Sequence, residues 1–274
     1  MTFFGADQLD ELAAFYDSQG YAVLRGLWSD EAMDAMELEC LAAQSRLVDG
    51  DLPERYGTTV LIDDAVSTRF ANYVTYATEL LPAVRDAALH PVVERVVERL
   101  VGAGTWLLES TRFGVVYQDA RPGRESSYTR IGWHSDWQSG PNLPIWPSAA
   151  FTIHLDGTSP ANGFLRVVPG SHRWATPAPY RNVNGAVVPE GSLPAAGHTD
   201  QPAPFDMPLG FDFVPGEVAL YCERGDLLFH DAYLWHSAAR ATDDHTKRRH
   251  IRGGWYSGDP AAATVEDFVK NAAR

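Results

Sequence analysis

The stretch Gly225-Asp-Leu-Leu-Phe-His230-Asp-Ala-Tyr-Leu-Trp-His236 consists of a turn, an apolar run and a second short run that ends in a histidine. This pattern predicts two short β-strands, at 226–230 and 233–237. Further short apolar runs follow residue 104, at 105–109, 112–118, 149–156, 164–168, 217–222 and 248–256. About eight such strands separated by turns predict a β-barrel or jelly roll.

The first 104 residues are predicted to be mostly helical. Apolar residues at helical spacing favour a helix over 7–18, and Ser29 is a good N-cap for a second helix that ends near Leu47. Pro91 predicts the first turn of a third helix, which Gly102 ends. We therefore expect one domain over 1–274, with a helical part at 1–104, a β core at 105–256 and a C-terminal helix within 257–274.

Two segments interrupt the strand pattern. Residues 138–148 and 174–216 are rich in Pro and Gly, and the second is long for a loop in a compact domain. Such long loops are commonly functional, so both segments are predicted to be lids over a binding site.

Composition limits the class of partner. The chain has 274 residues, a formal net charge of −14 and no extended Lys/Arg patch, which argues against a nucleic-acid or anionic-membrane surface. The only cysteines are Cys40 and Cys222, and no apolar stretch is long enough for a membrane helix. We expect a cytoplasmic protein whose partner is a small molecule, while the oligomeric state stays open.

Three residues form a candidate metal site. His134 and Asp136 are one residue apart, so on a strand both side chains point to the same side. His236, at the end of a later predicted strand, offers a second imidazole, and His230 is the nearest alternative. Two imidazoles and one carboxylate are the facial triad of non-haem Fe(II) oxygenases. His134, Asp136 and His236 are therefore the predicted metal ligands and catalytic residues.

An Fe(II) centre that activates O2 needs two further electrons, and 2-oxoglutarate is their commonest source. Its far carboxylate needs a cation, and the planar guanidinium of Arg matches a carboxylate better than Lys does. Arg248 and Arg249 lie on the strand predicted after His236. Alternation puts Arg249 on the less charged face with Ile251, so we expect Arg249 to bind 2-oxoglutarate, with Arg248 as the alternative.

Several side chains close to these positions are candidates for a substrate pocket. Trp137 and Gln138 follow the metal motif, Trp235 precedes His236, and Thr111 and Arg112 lie on an earlier predicted strand. Packing in the core is the usual fate of Trp, so the aromatic candidates depend on where the adjacent loops lie.

Four segments of the chain carry a resemblance to a known protein family. They are 15–29 with Gly20-Tyr-Ala-Val-Leu-Arg25-Gly, Trp133–Asp136, 162–172 with Asn162-Gly…Pro169-Gly-Ser-His172, and 225–259. Together they resemble the phytanoyl-CoA dioxygenase (PhyH) family of Fe(II)/2-oxoglutarate-dependent oxygenases. The third is the most specific, because iron chemistry alone does not require that turn.

The resemblance implies a double-stranded β-helix core of the jelly-roll or cupin type, with the helical N-terminal part packed on its major sheet. It implies His134, Asp136 and His236 as ligands of Fe(II), and an Arg for the C5 carboxylate of 2-oxoglutarate. Ser237 stands where the family often has Gly and then Ser, and is the candidate hydroxyl partner of 2-oxoglutarate. Related halogenases have Gly or Ala at the position of Asp136, so the intact carboxylate disfavours halogenation.

The function expected from these residues is oxidation of a small organic molecule with Fe(II), 2-oxoglutarate and O2, releasing succinate and CO2. A bulky secondary metabolite is the expected substrate class, with hydroxylation, epimerisation or cyclisation as outcomes. Two alternatives remain: a non-catalytic jelly-roll protein that binds a ligand, and a zinc-type hydrolase that uses the same three ligands.

Overall fold

The structure, a computed structural model, describes residues 1–57, 60–63, 68–109, 111–112, 114–121, 132–141, 143–175, 180–183, 186–189, 195–208, 210–243 and 245–260. Five α-helices lie within these ranges: α1 Leu9–Gln19, α2 Asp30–Asp49, α3 Ala77–Leu80, α4 Pro82–Ala88 and α5 Pro91–Val101.

Local chemistry sets the ends of the helices. Ser29 Oγ accepts a hydrogen bond from the backbone N–H of Ala32 (3.3 Å) at the start of α2. Helix α1 ends at Gly20, whose φ is 81°, and a Cβ at this position would lie 2.6 Å from His172 Nδ1. Gly20 therefore serves both the left-handed turn and the close approach of His172. The predicted helices at 7–18, 29–47 and 91–101 agree with α1, α2 and α5 to within about two residues.

The strands lie mainly after residue 105, as predicted. Their bounds are β1 Tyr21–Leu24, β2 Val60–Asp63, β3 Thr68–Ala71, β4 Tyr73–Val74, β5 Trp106–Leu107, β6 Val116–Ala120, β7 Ser148–His154, β8 Leu165–Val167, β9 Trp174–Ala175, β10 Tyr180–Val183, β11 Ala186–Pro189, β12 Gln201–Pro202, β13 Val218–Leu220, β14 Leu227–Asp231, β15 His236–Ala238 and β16 Arg248–Tyr256.

Two sheets dominate the β part. The larger has the strand order β1-β14-β7-β16-β6-β4, with β5 also paired to β16, and the smaller has the order β13-β8-β15. Val167 and Leu220 of the small sheet pack against Val23 and Leu228 of the large one. The two sheets therefore face each other, and the fold is mainly β with flanking helices.

Alternate residues of the large sheet point to opposite sides. On one side, Ile153, Phe229, Ile251 and Trp255 pack with residues of α1, α2, α4 and α5 into the main hydrophobic core. The other side, which includes Thr152, His154 and Leu228, faces a cavity between the sheets. The sheet thus has an apolar face under the helices and a more polar face towards the small sheet.

Some elements differ from the predictions. The N-terminal part is not wholly helical, because β2 and β3 form an antiparallel hairpin and β4 joins the large sheet beside β6. The predicted C-terminal helix falls largely on residues outside the described ranges, as do 176–179, 184–185, 190–194 and 209 of the predicted lid at 174–216. The part of that lid at 195–208 includes β12, which pairs in parallel with β9. Within the described ranges, no helix has the length and apolar character required to cross a membrane.

Candidate metal centre

The backbone brings His134 and His236 side by side. Each donates its N–H to the other's carbonyl oxygen, at 3.0 Å from His134 and 2.9 Å from His236, so the two residues form an isolated antiparallel bridge. Their ring centroids are 4.2 Å apart. Residues paired in this way project their side chains to the same side, so two imidazoles about a hundred residues apart in sequence converge.

Asp136 completes the group. It begins the 3-10 helix Asp136–Ser139, directly after the bridge, and its Oδ1 lies 3.7 Å from His236 Nε2. One ligand atom from each of His134, Asp136 and His236 lies within 4.8 Å of the others, and no other such group occurs in the described part of the chain. The predicted ligands are therefore together, and their donor set fits Fe(II).

Backbone carbonyls orient both imidazoles. His134 Nδ1 lies 2.8 Å from Gly132 O, and His236 Nδ1 lies 2.9 Å from Leu234 O. A carbonyl can only accept, so Nδ1 carries the proton in each ring and Nε2 presents its lone pair to the centre. Such outer hydrogen bonds fix the tautomer and ring angle of metal-binding histidines.

The protonation states also suit a cation. Burial lowers the pKa of His134 and of His236 to about 4, so both rings are neutral at neutral pH. Burial alone would raise the pKa of Asp136, but the adjacent histidines outweigh it and hold that pKa below its usual value. Two neutral imidazoles and an ionised carboxylate are the forms that bind a metal ion.

His230, the alternative ligand, lies beside this group on β14. Its Nδ1 is 3.8 Å from Asp136 Oδ2, and its ring centroid is 4.4 Å from that of His236. The compact group of ligand atoms nevertheless comprises His134, Asp136 and His236, without His230. The geometry therefore favours His236 over His230.

A cavity of about 150 Å³ opens beside the three ligands. Its walls come from β6, β7, β14 and β16 of the large sheet and from β8 and β15 of the small sheet. On β16 the residues that line it are Arg248, His250, Arg252 and Gly253. The cavity lies between the sheets, next to the metal ligands.

Arg248 faces this cavity, and Arg249 does not. Arg249 Nε donates to Asp156 Oδ2 (2.8 Å) and its Nη1 to Glu37 Oε1 (2.5 Å), so its side chain is fixed among carboxylates on the helical side of the sheet. Arg248 Nε is buried without a hydrogen-bond partner among the described residues, and burial lowers the pKa of Arg248 to about 10. Strand alternation turns the predicted Arg249 away from the cavity, so the geometry favours the alternative, Arg248.

Two further histidines share the wall with Arg248. His154 and His250 are paired in register across β7 and β16, with ring centroids 6.4 Å apart. Both ring nitrogens of His154, and Nδ1 of His250, lack hydrogen-bond partners among the described residues, while His250 Nε2 contacts Gln118 Oε1 at 3.0 Å. Buried polar atoms are rarely left unpaired, so this wall is built for a polar ligand.

The sequence matches a family model over most of its length. Residues 16–250 match the model of the phytanoyl-CoA dioxygenase (PhyH) family. The chain belongs to the phytanoyl-CoA dioxygenase family. The resemblance seen in the sequence is confirmed.

Two curated relatives of the family are ectoine dioxygenases. The enzyme of Nocardia farcinica is 28% identical over 181 residues, which cover 64% of this chain and 55% of the relative. The enzyme of Bordetella parapertussis is 25% identical over 173 residues, which cover 61% of this chain and 49% of the relative. The chain thus spans about half the length of the curated relatives that it matches.

Solved structures share the fold at lower identity. AviO1 from Streptomyces viridochromogenes superposes with a TM-score of 0.60 at 17% identity, covering 93% of this chain and 96% of AviO1. EctD from S. alaskensis, with 2-oxoglutarate and 5-hydroxyectoine, has a TM-score of 0.61 at 17% identity, and the match covers 90% of this chain and 75% of EctD. SnoK, a carbocyclase of nogalamycin biosynthesis, has a TM-score of 0.60 at 20% identity, and the match covers 94% of this chain and 87% of SnoK.

The predicted pocket residues next to the metal ligands lie outside the cavity lining. Trp137 is buried, with its ring 6.2 Å from that of Tyr233, and Gln138 Oε1 accepts the backbone N–H of Ser135. Trp235 packs in a separate apolar cluster with Trp133. These side chains shape the segments that carry the ligands, and none of them lines the cavity.

The remaining predicted residues are also displaced from the cavity. Ser237 lies between His236 and Ala238, both of which line it, so alternation turns Ser237 away. Arg112 donates to Gly57 O (2.7 Å) in a surface depression beside α2, and Thr111 lies in the turn closed by Gly114. The structure therefore places Trp137, Gln138, Trp235, Thr111, Arg112 and Ser237 outside the lining of this cavity, contrary to the prediction that they would face it.

The cavity residues that the sequence reasoning missed are His154, Gln118, Thr152, His250 and Arg252. The available signal was the alternation along 248–256: Arg248, His250 and Arg252 share one face, and Arg249, Ile251 and Trp255 the other. In this fold the charged face is the one that lines the cavity.

Proposed function

We propose that this chain is an Fe(II)- and 2-oxoglutarate-dependent oxygenase that oxidises a small organic molecule and releases succinate and CO2. One observation carries the proposal: the group of His134, Asp136 and His236 opens onto a cavity whose wall holds Arg248, and Arg248 Nε is buried without a hydrogen-bond partner among the described residues. A metal site and a buried cation on one cavity match the two ends of a 2-oxo dicarboxylate.

Each described residue has a role in this proposal. His134 and His236 would hold the iron through Nε2, and Asp136 through its carboxylate. Arg248 would pair with the far carboxylate of 2-oxoglutarate, with His154 and His250 beside it as hydrogen-bond partners. When bound, iron with 2-oxoglutarate supplies oxidising power from O2. The two sheets would exclude water and hold the substrate C–H bond close to the metal.

The finer architecture belongs to the same proposal. We infer that the facing sheets form a double-stranded β-helix, within one oxygenase domain over 1–274. The substrate proposed is a secondary metabolite, with hydroxylation, epimerisation or cyclisation as outcomes. Supporting this class, the fold is shared with SnoK and with SnoN, an epimerase, both of nogalamycin biosynthesis. The intact Asp136 occupies a metal position that halogenation would need open.

Succinate formation tests the proposal. The purified chain, supplied with Fe(II), ascorbate and 2-oxoglutarate in air, should convert 2-oxoglutarate to succinate. His134→Ala should lower the rate by at least about 100-fold, because the site loses one of three ligands. His245→Ala is the matched control, since His245 is exposed in a turn and contributes nothing to the metal group.

Two results would refute the oxygenase: no succinate from the wild-type chain, or an equal rate from His134→Ala. If Zn(II) instead supported ester hydrolysis without 2-oxoglutarate, the hydrolase alternative would replace it. If the chain bound no iron under anaerobic conditions, the non-catalytic binding protein would replace it.

A further inference from the structure

A second arginine enters the same cavity. Arg252 lies on the inner face of β16, four residues beyond Arg248, and its register partner on β7 is Thr152, which also lines the cavity. Its Nη2 donates to Tyr73 Oη (3.3 Å), and its Cζ is 5.5 Å from the centre of that ring. Tyr73 is fully buried and holds one edge of the guanidinium, while the side chain keeps partial exposure to the cavity.

The two arginines act on different parts of the cavity. Across the sheet, Arg252 is in register with Thr152 and Leu228, one inner step from His230, which lies beside Asp136. Arg248 lies one inner step beyond His250, which is in register with His154, so it is further than Arg252 from that end of the cavity. Successive inner residues of a strand are roughly 6.6 Å apart, so Arg248 and Arg252 are separated along β16 by about two such steps.

Arg252 has no carboxylate of its own among the described residues. No acidic group other than Asp136 lines the cavity in the part of the chain that the structure describes, and none lies within the 4.0 Å of an ion pair with Arg252. Arg249, by contrast, is paired with both Asp156 and Glu37. Asp136 is the one acidic group that shares the cavity with Arg252 among the described residues, and it is also the proposed metal ligand. With Asp136 bound to a metal, a ligand anion would be the partner available to the Arg252 guanidinium.

The sum of the charges around the loaded cavity also favours an anionic ligand. In the loaded site, the two positive charges of Fe(II) are joined by those of Arg248 and Arg252. Against them stand the single charge of Asp136 and the two charges of 2-oxoglutarate. Burial keeps His154 and His250 neutral by lowering their pKa values, so one positive charge remains. A ligand with one negative charge would neutralise the cavity, whereas a doubly charged phosphate would leave it with a net negative charge.

We propose that Arg252 binds a carboxylate-type anionic group of the primary substrate, so that this enzyme acts on a small organic acid. The inference rests on the proposed function, since the iron and 2-oxoglutarate define where the substrate must lie. The planar fork of Arg252 offers paired N–H donors to such a group, and its position near the metal ligands would set which C–H bond faces the iron.

A matched pair of probes tests this proposal without knowledge of the natural substrate. The protein is loaded with Mn(II) and saturating 2-oxoglutarate, and the methyl-proton relaxation of acetate is compared with that of acetamide, its neutral isostere. Bound Mn(II) accelerates relaxation only for a probe held close to the metal. We expect an acceleration for acetate at least fivefold that for acetamide. It should fall to the acetamide level in Arg252→Gln and be partly retained in Arg252→Lys.

The 2-oxoglutarate Kd separates this inference from the proposed function. In Arg252→Gln this Kd should stay within about threefold of the wild-type value, which also shows that the variant is folded. In Arg248→Gln it should rise by about 30-fold or more. Equal acceleration by acetate and acetamide, or acceleration unchanged in Arg252→Gln, would overturn the anion site. So would a loss of 2-oxoglutarate affinity in Arg252→Gln equal to that in Arg248→Gln. Failure of the wild-type protein to bind 2-oxoglutarate would instead contradict the proposed function.

Discussion

At the scale of single residues, Arg248 and Arg249 show how one position along a strand separates two roles. Arg248 is buried against the cavity with an unpaired Nε, and Arg249 is held by Asp156 and Glu37. Spacing alone could not distinguish them, because they are adjacent and chemically identical. The metal ligands were easier to predict, since His134 and Asp136 occur in one motif and His236 ends a separate apolar run.

The two arginines should give opposite phenotypes. Arg248→Gln should raise the 2-oxoglutarate Kd by about 30-fold or more, which corresponds to roughly 2 kcal/mol for one lost partner of a buried charge pair. It should leave Tm unchanged or higher, because the substitution removes a buried cation whose Nε has no hydrogen-bond partner in the described part of the chain. Calorimetric titration and thermal unfolding measure the two quantities.

Arg249→Gln is the matched comparison. It leaves two carboxylates without their cation, so we expect a loss of about 3 kcal/mol of stability and a Tm lower by roughly 5–10 °C. The 2-oxoglutarate Kd should stay within about threefold of the wild-type value. If Arg249→Gln instead abolished 2-oxoglutarate binding at an unchanged Tm, the assignment of Arg248 would be wrong.

At the scale of elements, the segment 162–172 contacts the start of the strand that carries Arg248. Asn162 Oδ1 accepts the backbone N–H of Ser159 (2.8 Å), and its Nδ2 reaches Lys247 O (3.3 Å), directly before Arg248. A Cβ on Gly163 would lie 2.7 Å from Ala239 O and 3.0 Å from Arg248 Nη1. The turn thus packs behind Arg248, a role that the sequence pattern marked as specific but could not describe.

Replacement of Gly163 should therefore affect the ligand as well as the fold. Gly163 has φ 87° and Gly216 has φ 80°, so Ala at either position should cost about 1 kcal/mol from left-handed backbone strain. Only Gly163→Ala should also raise the 2-oxoglutarate Kd, by roughly fivefold or more, because its Cβ displaces Arg248. A Cβ at Gly216 meets no atom within 4 Å, which makes Gly216→Ala the control. Equal Kd values in the two variants would contradict this role.

At the scale of the whole molecule, the polar face of the large sheet points inwards. Helices α1, α2, α4 and α5 cover its apolar face, and the small sheet encloses the face that carries Arg248, His250 and Arg252. The less charged face of β16, which the sequence analysis chose for the ligand, is the face that packs under the helices. Strand positions after residue 105 were predictable from turn residues and run lengths, as the agreement of 248–256 with β16 shows.

Other parts of the architecture required the three-dimensional structure. Nothing local in the sequence indicates that β14 pairs with both β1 and β7, or that β2 and β3 interrupt the helical N-terminal part. Long-range pairing is a property of the assembled sheet, because each strand alone is compatible with several neighbours. The same limit applies to the cavity, whose walls combine six strands that are distant in sequence.

The most direct measurement is a crystal structure of the protein with Fe(II) and 2-oxoglutarate, prepared without oxygen. The account predicts one iron bound by His134 Nε2, His236 Nε2 and the Asp136 carboxylate. It also predicts that the 2-oxo acid chelates this iron and that its far carboxylate pairs with Arg248. Iron bound at any other group of residues, or a far carboxylate paired with Arg249, would contradict the account.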